Sequence, residues 1–406
     1  MTKQPDEMKQ NFWVFVLIGM LLIVTTTGFS RMSYGVILPF MQEGLSLSTS
    51  ESGLLGTILF LGYLLTVGLS GVLTVWRGAK KVLLLGGWLV VAGLCGLVFV
   101  SNFWWASVSF FIAGAGSALV YTPLLSIAIG LFPEKRGAVM GLLMSGAGIG
   151  MLLSGVLVPF MLQQFPTLGW RGAWLVFAAM TVVVMLLASF ILKDPHASTS
   201  SEKDGTREKA NVWRSKELYM IAGLYFAVGI VYLIPNIYQS SYMIELEISN
   251  KVVGTIYSIA GICSIGGAPL WGMLADRMGV KKALFAALIL SVVGDIIPIE
   301  WGSVAGFIVS SVIWGSSLGG VLVLIQMKAS QQVSSQYVAA AIGFVSVFYA
   351  IGQMMGPGLA GWLIEYAGGY ATAYRFGAVI FFLCTLLTMM LKPEGVNLKK
   401  VHTDIH

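Results

Sequence analysis

Two stretches of the chain carry the same pattern: GVLTVWRGAKKVL at 71–83 and GMLADRMGVKKAL at 272–284. Each lies between apolar runs and holds glycines, a leucine and a pair of lysines in the same order. The matching positions are separated by a constant 201 residues: Gly71 and Gly272, Leu73 and Leu274, Gly78 and Gly279, Lys80 and Lys281, and Lys81 and Lys282. A constant offset close to half of the 406 residues indicates an internal repeat of two equivalent halves.

The composition around these stretches is strongly apolar. Hydrophobic residues make up 57% of the chain and charged residues 10%, whereas soluble proteins carry about 25% charged residues. This balance excludes a soluble enzyme and a nucleic-acid binder, and it predicts a polytopic membrane protein. No metal-ligand spacing, phosphate-binding glycine loop or nucleophile motif is present, so we expect no enzyme activity, no cofactor and no metal.

Twelve apolar runs are long enough to cross the hydrocarbon core, which takes about 20 residues. They predict an all-α membrane protein of twelve transmembrane helices in two six-helix halves. The runs, which we call spans one to twelve, cover 12–41, 52–75, 82–101, 104–132, 138–163, 172–192, 217–243, 252–275, 283–299, 303–327, 338–363 and 373–392.

A polar segment divides the two halves and a charge bias orients them. We expect an N-terminal bundle at 1–193, a cytoplasmic linker at 194–216 and a C-terminal bundle at 217–406. Of the 24 lysines and arginines, all but four fall on the side of the chain that holds both termini. Because basic residues favour the cytoplasmic side, both termini are predicted to be cytoplasmic, in the cell membrane. The four exceptions are Arg31, Arg171, Lys251 and Arg375.

Polar residues recur on one face of several spans. In span seven the residues of this face are spaced by four, three, four and three positions, as on one side of a helix: Tyr225, Gly229, Tyr232, Asn236 and Gln239. Pro235 is expected to loosen or kink this helix. One interpretation is hydrogen bonding between helices; the other is a cavity between the halves. On the second interpretation the substrate-binding residues are Arg31, Tyr34, Tyr121, Tyr225, Tyr232, Asn236, Tyr349 and Gln353.

Arg31 is the only basic residue well inside a span. A charge there costs about 2.5–3.5 kcal/mol on insertion scales, so something must offset it. The side chain either reaches the outer interface or uses its planar fork of donors to hold a carboxylate of the substrate. Among acidic residues, Asp295 in span nine is the nearest candidate for a proton relay, with an interfacial or loop contact as the alternative.

The segment GMLADRMGVKK at 272–282 resembles the cytoplasmic signature G-x-L-x-D-R-x-G-x-K-K of the major facilitator superfamily. The resemblance implies the major facilitator fold. It also implies that Asp276, Arg277, Gly272 and Gly279 act in gating, with Asp276 docking at the start of span five near Gly137 and Ala138 when the cytoplasmic side is closed. The first copy has Val75 and Trp76 in place of the Asp-Arg pair, so the charged lock is expected only in the second half.

Three further segments resemble monocarboxylate-type and bacterial YbfB/YjiJ-type members of that superfamily. They are GFSRMSYGVILPFM at 28–41, YTPLLSIAIGLFPEKRGAVMG at 121–141 and the triplet Gly169-Trp170-Arg171. A basic residue at about this place in span one is what the monocarboxylate likeness implies.

These features predict a secondary transporter of a small organic anion, with a monocarboxylate as the candidate substrate. The expected partners are that small molecule, a co-transported proton and the lipid bilayer, with no nucleic acid; the chain is expected to act as a monomer. Two alternatives stay open: an exporter of amphipathic drugs or metabolites, whose adaptable cavity would suit the methionines and aromatic residues, and a transport-inactive sensor on the same fold.

Overall fold

The computed structural model describes residues 11–132, 135–192, 215–333 and 337–392. Within these ranges the secondary structure is helical and contains no strand, and twelve helices are long and apolar enough to cross a membrane. The predicted all-α membrane fold is confirmed. Spans two to six are Thr49–Arg77, Ala79–Val98, Phe103–Leu131, Arg136–Gln164 and Trp170–Ile191, and spans eight to twelve are Asn250–Met278, Val280–Glu300, Val304–Ser330, Val338–Tyr366 and Tyr370–Met390. The predicted linker lies outside the described residues, except for its last two positions.

Span one is not a uniform α-helix. It contains an α-helix at Phe12–Ile23, a π-helical segment at Val24–Met32 and a second α-helix at Tyr34–Leu45. Hydroxyl groups within it bond back to carbonyls of the preceding turn; Thr26 Oγ1, for example, donates to Leu22 O at 2.7 Å. Such back-bonding competes with the regular ladder, and π-helical turns widen a helix. Arg31 lies in the last turn of this segment, so the geometry of the segment sets the direction of its side chain.

Span seven is interrupted between Lys216–Val231 and Ile234–Glu245. The sequence predicted a disturbance at Pro235, and the break lies at 232–233, just before it. Pro235 lacks an N–H and stands in the first turn of the second helix, where no donor is needed. Trp314 of span ten donates to Tyr232 O at 3.4 Å, so the carbonyl at the break has a partner.

The repeated glycines adopt the same backbone conformation in both halves. Gly78 has φ 85° and ψ 147°, and Gly279 has φ 88° and ψ 148°. Each ends one span and begins the next, and side chains other than hydrogen are strained in this region. The repeat found in the sequence therefore marks two equivalent sharp turns at one end of the bundle, which we call the basic end.

We expect Gly279→Ala to lower the stability of the protein by about 1–3 kcal/mol, because alanine is strained at this φ and ψ. Gly272→Ala is the matched control: Gly272 is helical, and an added Cβ would meet nothing within 4 Å. Thermal unfolding in detergent compares the two variants. Equal melting temperatures would show that the turn does not require glycine.

The two halves touch at the end opposite the basic end, which we call the far end. A Cβ placed on Gly53 would lie 2.5 Å from Pro357 O, and one on Gly155 would lie 2.4 Å from Gly254 O. Glycines of spans two, five, eight and eleven toward the basic end differ. An added Cβ there would meet nothing within 4 Å, at Gly68, Gly71, Gly137, Gly141, Gly266, Gly272 and Gly343. The halves therefore close against each other at the far end and diverge toward the basic end.

Candidate functional site

Arg31 lies where the halves meet and is 7% exposed. Its Cζ is 4.1 Å from the centroid of the Tyr63 ring and 4.8 Å from that of Phe60, both on span two. Rings at this distance attract a guanidinium through their negative faces. Nη2 donates to Gln353 Oε1 at 3.3 Å, while Nε is buried without a partner. The side chain therefore lies against aromatic rings inside the protein and does not extend to an interface.

A chain of side chains continues from Arg31 into the second half. Gln353 Nε2 donates to the Tyr349 hydroxyl at 3.1 Å. The Tyr349 ring stacks on Tyr225 with centroids 4.5 Å apart, and the Tyr225 hydroxyl accepts from Gln326 Nε2 at 3.1 Å. Spans one, eleven, seven and ten are thus joined through one connected set of polar groups.

Two further tyrosines complete this set. Tyr232 lies beside the break and packs edge-on against Tyr349 at 5.8 Å between centroids, within electrostatic range of the guanidinium. Tyr121 of span four also interacts electrostatically with Arg31, and its hydroxyl lies 3.5 Å from Met144 Sδ. We call Arg31, Phe60, Tyr63, Tyr121, Tyr225, Tyr232, Tyr349 and Gln353 the arginine cluster.

Tyr34 and Asn236, both assigned to the same site by sequence, lie elsewhere. The Tyr34 hydroxyl donates to Ser52 O at 2.7 Å, and its ring packs against Phe110 within the first half. Asn236 Nδ2 donates to the Tyr257 hydroxyl at 2.9 Å, and Tyr257 in turn donates to Met32 O. Asn236 thus belongs to a contact between the halves, because it lies one turn beyond Tyr232 toward the far end.

Phe60, Tyr63 and Gln326 belong to or adjoin the arginine cluster, and the sequence analysis did not single them out. Phe60 and Tyr63 stand in an apolar run of span two, where aromatic residues facing lipid look the same as aromatic residues facing a cation. The three-residue spacing places both on one side of the helix, but only the position of Arg31 shows that this side faces a cation. Gln326 lies close to the end of span ten, where a polar residue is ordinary.

In the structure the predicted gating contact between Asp276 and the start of span five is not formed. The side chains of Asp276 and Arg277 are exposed, and so are Gly137 and Ala138 at the start of span five. An added Cβ at Gly272 or Gly137 would meet nothing within 4 Å. The docking of Asp276 on span five is a contact of the closed basic end, so it stays a prediction for another conformation.

At the far end a different carboxylate occupies such a position. Ser50 N, in the first turn of span two, donates to Glu365 Oε2 at 2.7 Å. Glu365 lies at the end of span eleven, so this hydrogen bond crosses between the halves. A helix start has free N–H groups and a partial positive charge that stabilise a carboxylate. Glu365 therefore adds one bond between the halves at the far end, by the same physics that the sequence predicts for Asp276 at the basic end.

Asp295 is buried, at 2% exposure, and lies apart from the arginine cluster. Its Oδ2 has no hydrogen-bond partner among the described residues, and a Cβ on Gly377 of span twelve would run into it. Tyr374, also on span twelve, interacts with it electrostatically. The contacts of Asp295 thus lie within the second half. No group of His, Cys, Asp and Glu in the described ranges has the arrangement of a metal site.

Comparison with known proteins gives a consistent result. Residues 23–389 match the family described as "Uncharacterised MFS-type transporter YbfB". Monocarboxylate transporter 12 of Xenopus laevis is 25% identical, over 76% of this chain and 73% of its own. The oxalate:formate antiporter of Oxalobacter formigenes is 23% identical, over 98% and 96%. The agnestins efflux protein AgnL12 of Paecilomyces divaricatus is 25% identical, over 93% and 87%.

Among solved structures, a mutant of the nucleoside transporter NupG superposes with a TM-score of 0.79. The alignment covers 93% of this chain and 99% of NupG at 13% sequence identity. At this level of identity the likeness concerns the fold alone.

Proposed function

The chain belongs to the family of MFS-type transporters described as YbfB, and from that premise we propose that it moves a small organic anion, a monocarboxylate, across the membrane by alternating access. It is a multi-pass membrane transporter and not an enzyme. The observation that carries the substrate class is Arg31, a cation 7% exposed that no carboxylate in the described parts of the chain pairs.

The physical argument rests on the cost of an isolated charge. A cation removed from water is unfavourable unless an anion and hydrogen bonds compensate it. Aromatic rings and one 3.3 Å bond to a neutral amide compensate Arg31 only in part. A guanidinium has five N–H donors and matches a carboxylate with two parallel bonds. One fixed positive charge suits one carboxylate, and the surrounding tyrosines supply apolar walls with hydroxyls that orient the rest of the molecule.

The distribution of charge bears on the orientation of the protein in the membrane and on the co-transported ion. Because basic loops favour the cytoplasmic side, we propose that the basic end and both termini face the cytoplasm in the cell membrane. The described conformation, closed at the far end, is then open to the inside. We propose that a proton is co-transported with the anion; Asp295, the acidic candidate from the sequence, contacts span twelve and not the arginine cluster. The repeat provides both halves of the mechanism in one chain, which supports a monomer.

Export of amphipathic compounds is the second candidate. It is favoured by the aromatic walls of the arginine cluster and by the likeness to the agnestins efflux protein. The charge of the cluster supports the anion: a site for amphipathic cations is expected to have an acidic side chain beside the rings, whereas the cluster holds Arg31.

A ligand screen by thermal shift on the purified protein tests the proposal. The probes are formate, lactate, benzoate and oxalate, each paired with its neutral amide, together with tetraphenylphosphonium as an amphipathic cation. We expect at least one carboxylate, and not its amide, to raise the melting temperature, and Arg31→Gln to remove that shift. A shift by tetraphenylphosphonium that survives Arg31→Gln, with none from the carboxylates, would favour the exporter and contradict the anion site.

A further inference from the structure

The Arg31 guanidinium packs against two aromatic rings and has one hydrogen bond, to an amide oxygen. Tyr63 and Phe60 lie beside it, so rotation of its plane is restricted. Gln353 approaches one terminal nitrogen, at 3.3 Å. An amide oxygen of glutamine resembles one oxygen of a carboxylate in size and in accepting ability, but it carries no charge.

Gln353 is itself held in this position. It is 4% exposed, and its Nε2 donates to the hydroxyl of Tyr349 one turn earlier on span eleven. Tyr349 in turn stacks on Tyr225, whose hydroxyl is bonded to Gln326. Both ends of the amide are therefore used, and its oxygen is aimed at the guanidinium by groups of the second half.

We infer that Gln353 is a built-in stand-in for the substrate: its amide oxygen occupies the Arg31 fork of the substrate-free protein, and a substrate carboxylate displaces it. This inference rests on the proposed anion function and adds the competing group. The amide offers Arg31 one bond to a neutral acceptor, whereas a carboxylate brings the opposite charge and a second parallel bond, so a carboxylate wins the exchange and a neutral isostere does not.

The exchange has a consequence for transport. Arg31 belongs to the first half and Gln353 to the second, so their bond ties the halves in the described conformation. Displacement removes this tie and leaves a carboxylate between the halves. Substrate binding thus changes the relative stability of the conformations, as any ligand must that drives alternating access.

Two substitutions with opposite expected effects test the inference. Gln353→Glu supplies a carboxylate in place of the amide, so the internal competitor becomes charged. We expect the panel carboxylates formate, lactate, benzoate and oxalate to bind at least about tenfold more weakly, the factor for about 1.4 kcal/mol. Gln353→Met removes the competitor, and we expect the same carboxylates to bind up to about tenfold more tightly.

Gln239→Glu is the matched control, because Gln239 is as buried as Gln353, at 3% exposure, but donates to Ser311 Oγ and lies outside the arginine cluster. It should leave carboxylate affinity within about twofold. A readout without substrate is added: Gln353→Glu is expected to raise the melting temperature relative to Gln239→Glu, and to lose this gain when combined with Arg31→Gln, as in a double-mutant cycle.

The outcomes distinguish failure of the stand-in role of Gln353 from failure of the anion function. If carboxylates bind the wild type through Arg31 but Gln353→Glu and Gln353→Met both leave their affinities unchanged, the stand-in is wrong and the anion site survives. If none of the four carboxylates binds the wild type while the double-mutant cycle still couples Arg31 to position 353, the anion function fails and the stand-in fails with it.

Discussion

Replacement of Arg31 by glutamine is expected to lower the initial rate of carboxylate uptake into proteoliposomes by about ten- to hundredfold. The range corresponds to loss of a charge-assisted hydrogen-bonded pair, worth about 1.5–3 kcal/mol. The amide of the new glutamine keeps polarity and approximate length while it removes the charge and the fork. Uptake of labelled lactate or oxalate, measured at concentrations below saturation, gives the comparison.

Two control variants define what the loss means. Arg31→Lys retains the charge without the planar fork, so we expect an intermediate rate. Arg171→Gln removes an arginine that donates to Val100 O at 2.9 Å and lies over Trp170, away from the arginine cluster. Its uptake should stay within about twofold of the wild type. Equal losses in Arg31→Gln and Arg171→Gln would show a general effect of lost charge and would remove the case for a carboxylate site.

Opposite shifts of conformation are expected from the carboxylates at the two ends. Asp276→Asn weakens the predicted lock of the closed basic end, so the population moves toward the described, basic-open conformation, by about tenfold for each 1.4 kcal/mol lost. Glu365→Gln weakens the observed bond to Ser50 N at the far end and moves the population the other way. Because Glu365 is exposed, its shift is expected to be about two- to fivefold, the range for a charge at an exposed helix end.

Spin-label distances across spans five and eight at the basic end measure both shifts. The labels require a background without the native cysteines, Cys95, Cys263 and Cys384. Asp276→Asn should enlarge the long-distance fraction and Glu365→Gln should reduce it. Distance distributions that are identical to wild type in both variants would contradict locking by helix-end carboxylates, whereas a change in one alone would localise the lock to that end.

The fold could be predicted from the sequence because membrane insertion leaves few options. Long apolar runs must become helices, since backbone groups have no water to bond in the hydrocarbon core. The paired glycines were also informative, because the same unusual φ and ψ at Gly78 and Gly279 require the same residue. The π-helical segment of span one was not predicted: threonines and serines lower helical regularity, but their sequence does not say which alternative ladder forms.

The sequence assigned residues to one site by helix face alone, and it could not give their depth along the helix. Helical spacing assigns Tyr232 and Asn236 to one face, yet the break of span seven places them at different levels, one beside Arg31 and one in the far-end contact. Tyr34 follows Arg31 by three residues, but the helix changes from π to α between them. The Tyr34 side chain therefore points toward span two of the first half and not toward the cavity. Charge was the more reliable guide, because a buried arginine must find compensation wherever it lies.

Counterflow in proteoliposomes tests whether this chain carries small carboxylates across the membrane. The measurement does not require knowledge of the coupling ion or of the direction of transport. Vesicles are loaded with an excess of unlabelled formate, lactate, benzoate or oxalate and diluted into the same acid in labelled form. We expect, for at least one acid, a transient accumulation of label above its equilibrium level that the wild type shows and Arg31→Gln lacks. Label uptake equal to that of protein-free vesicles for all four acids would contradict it.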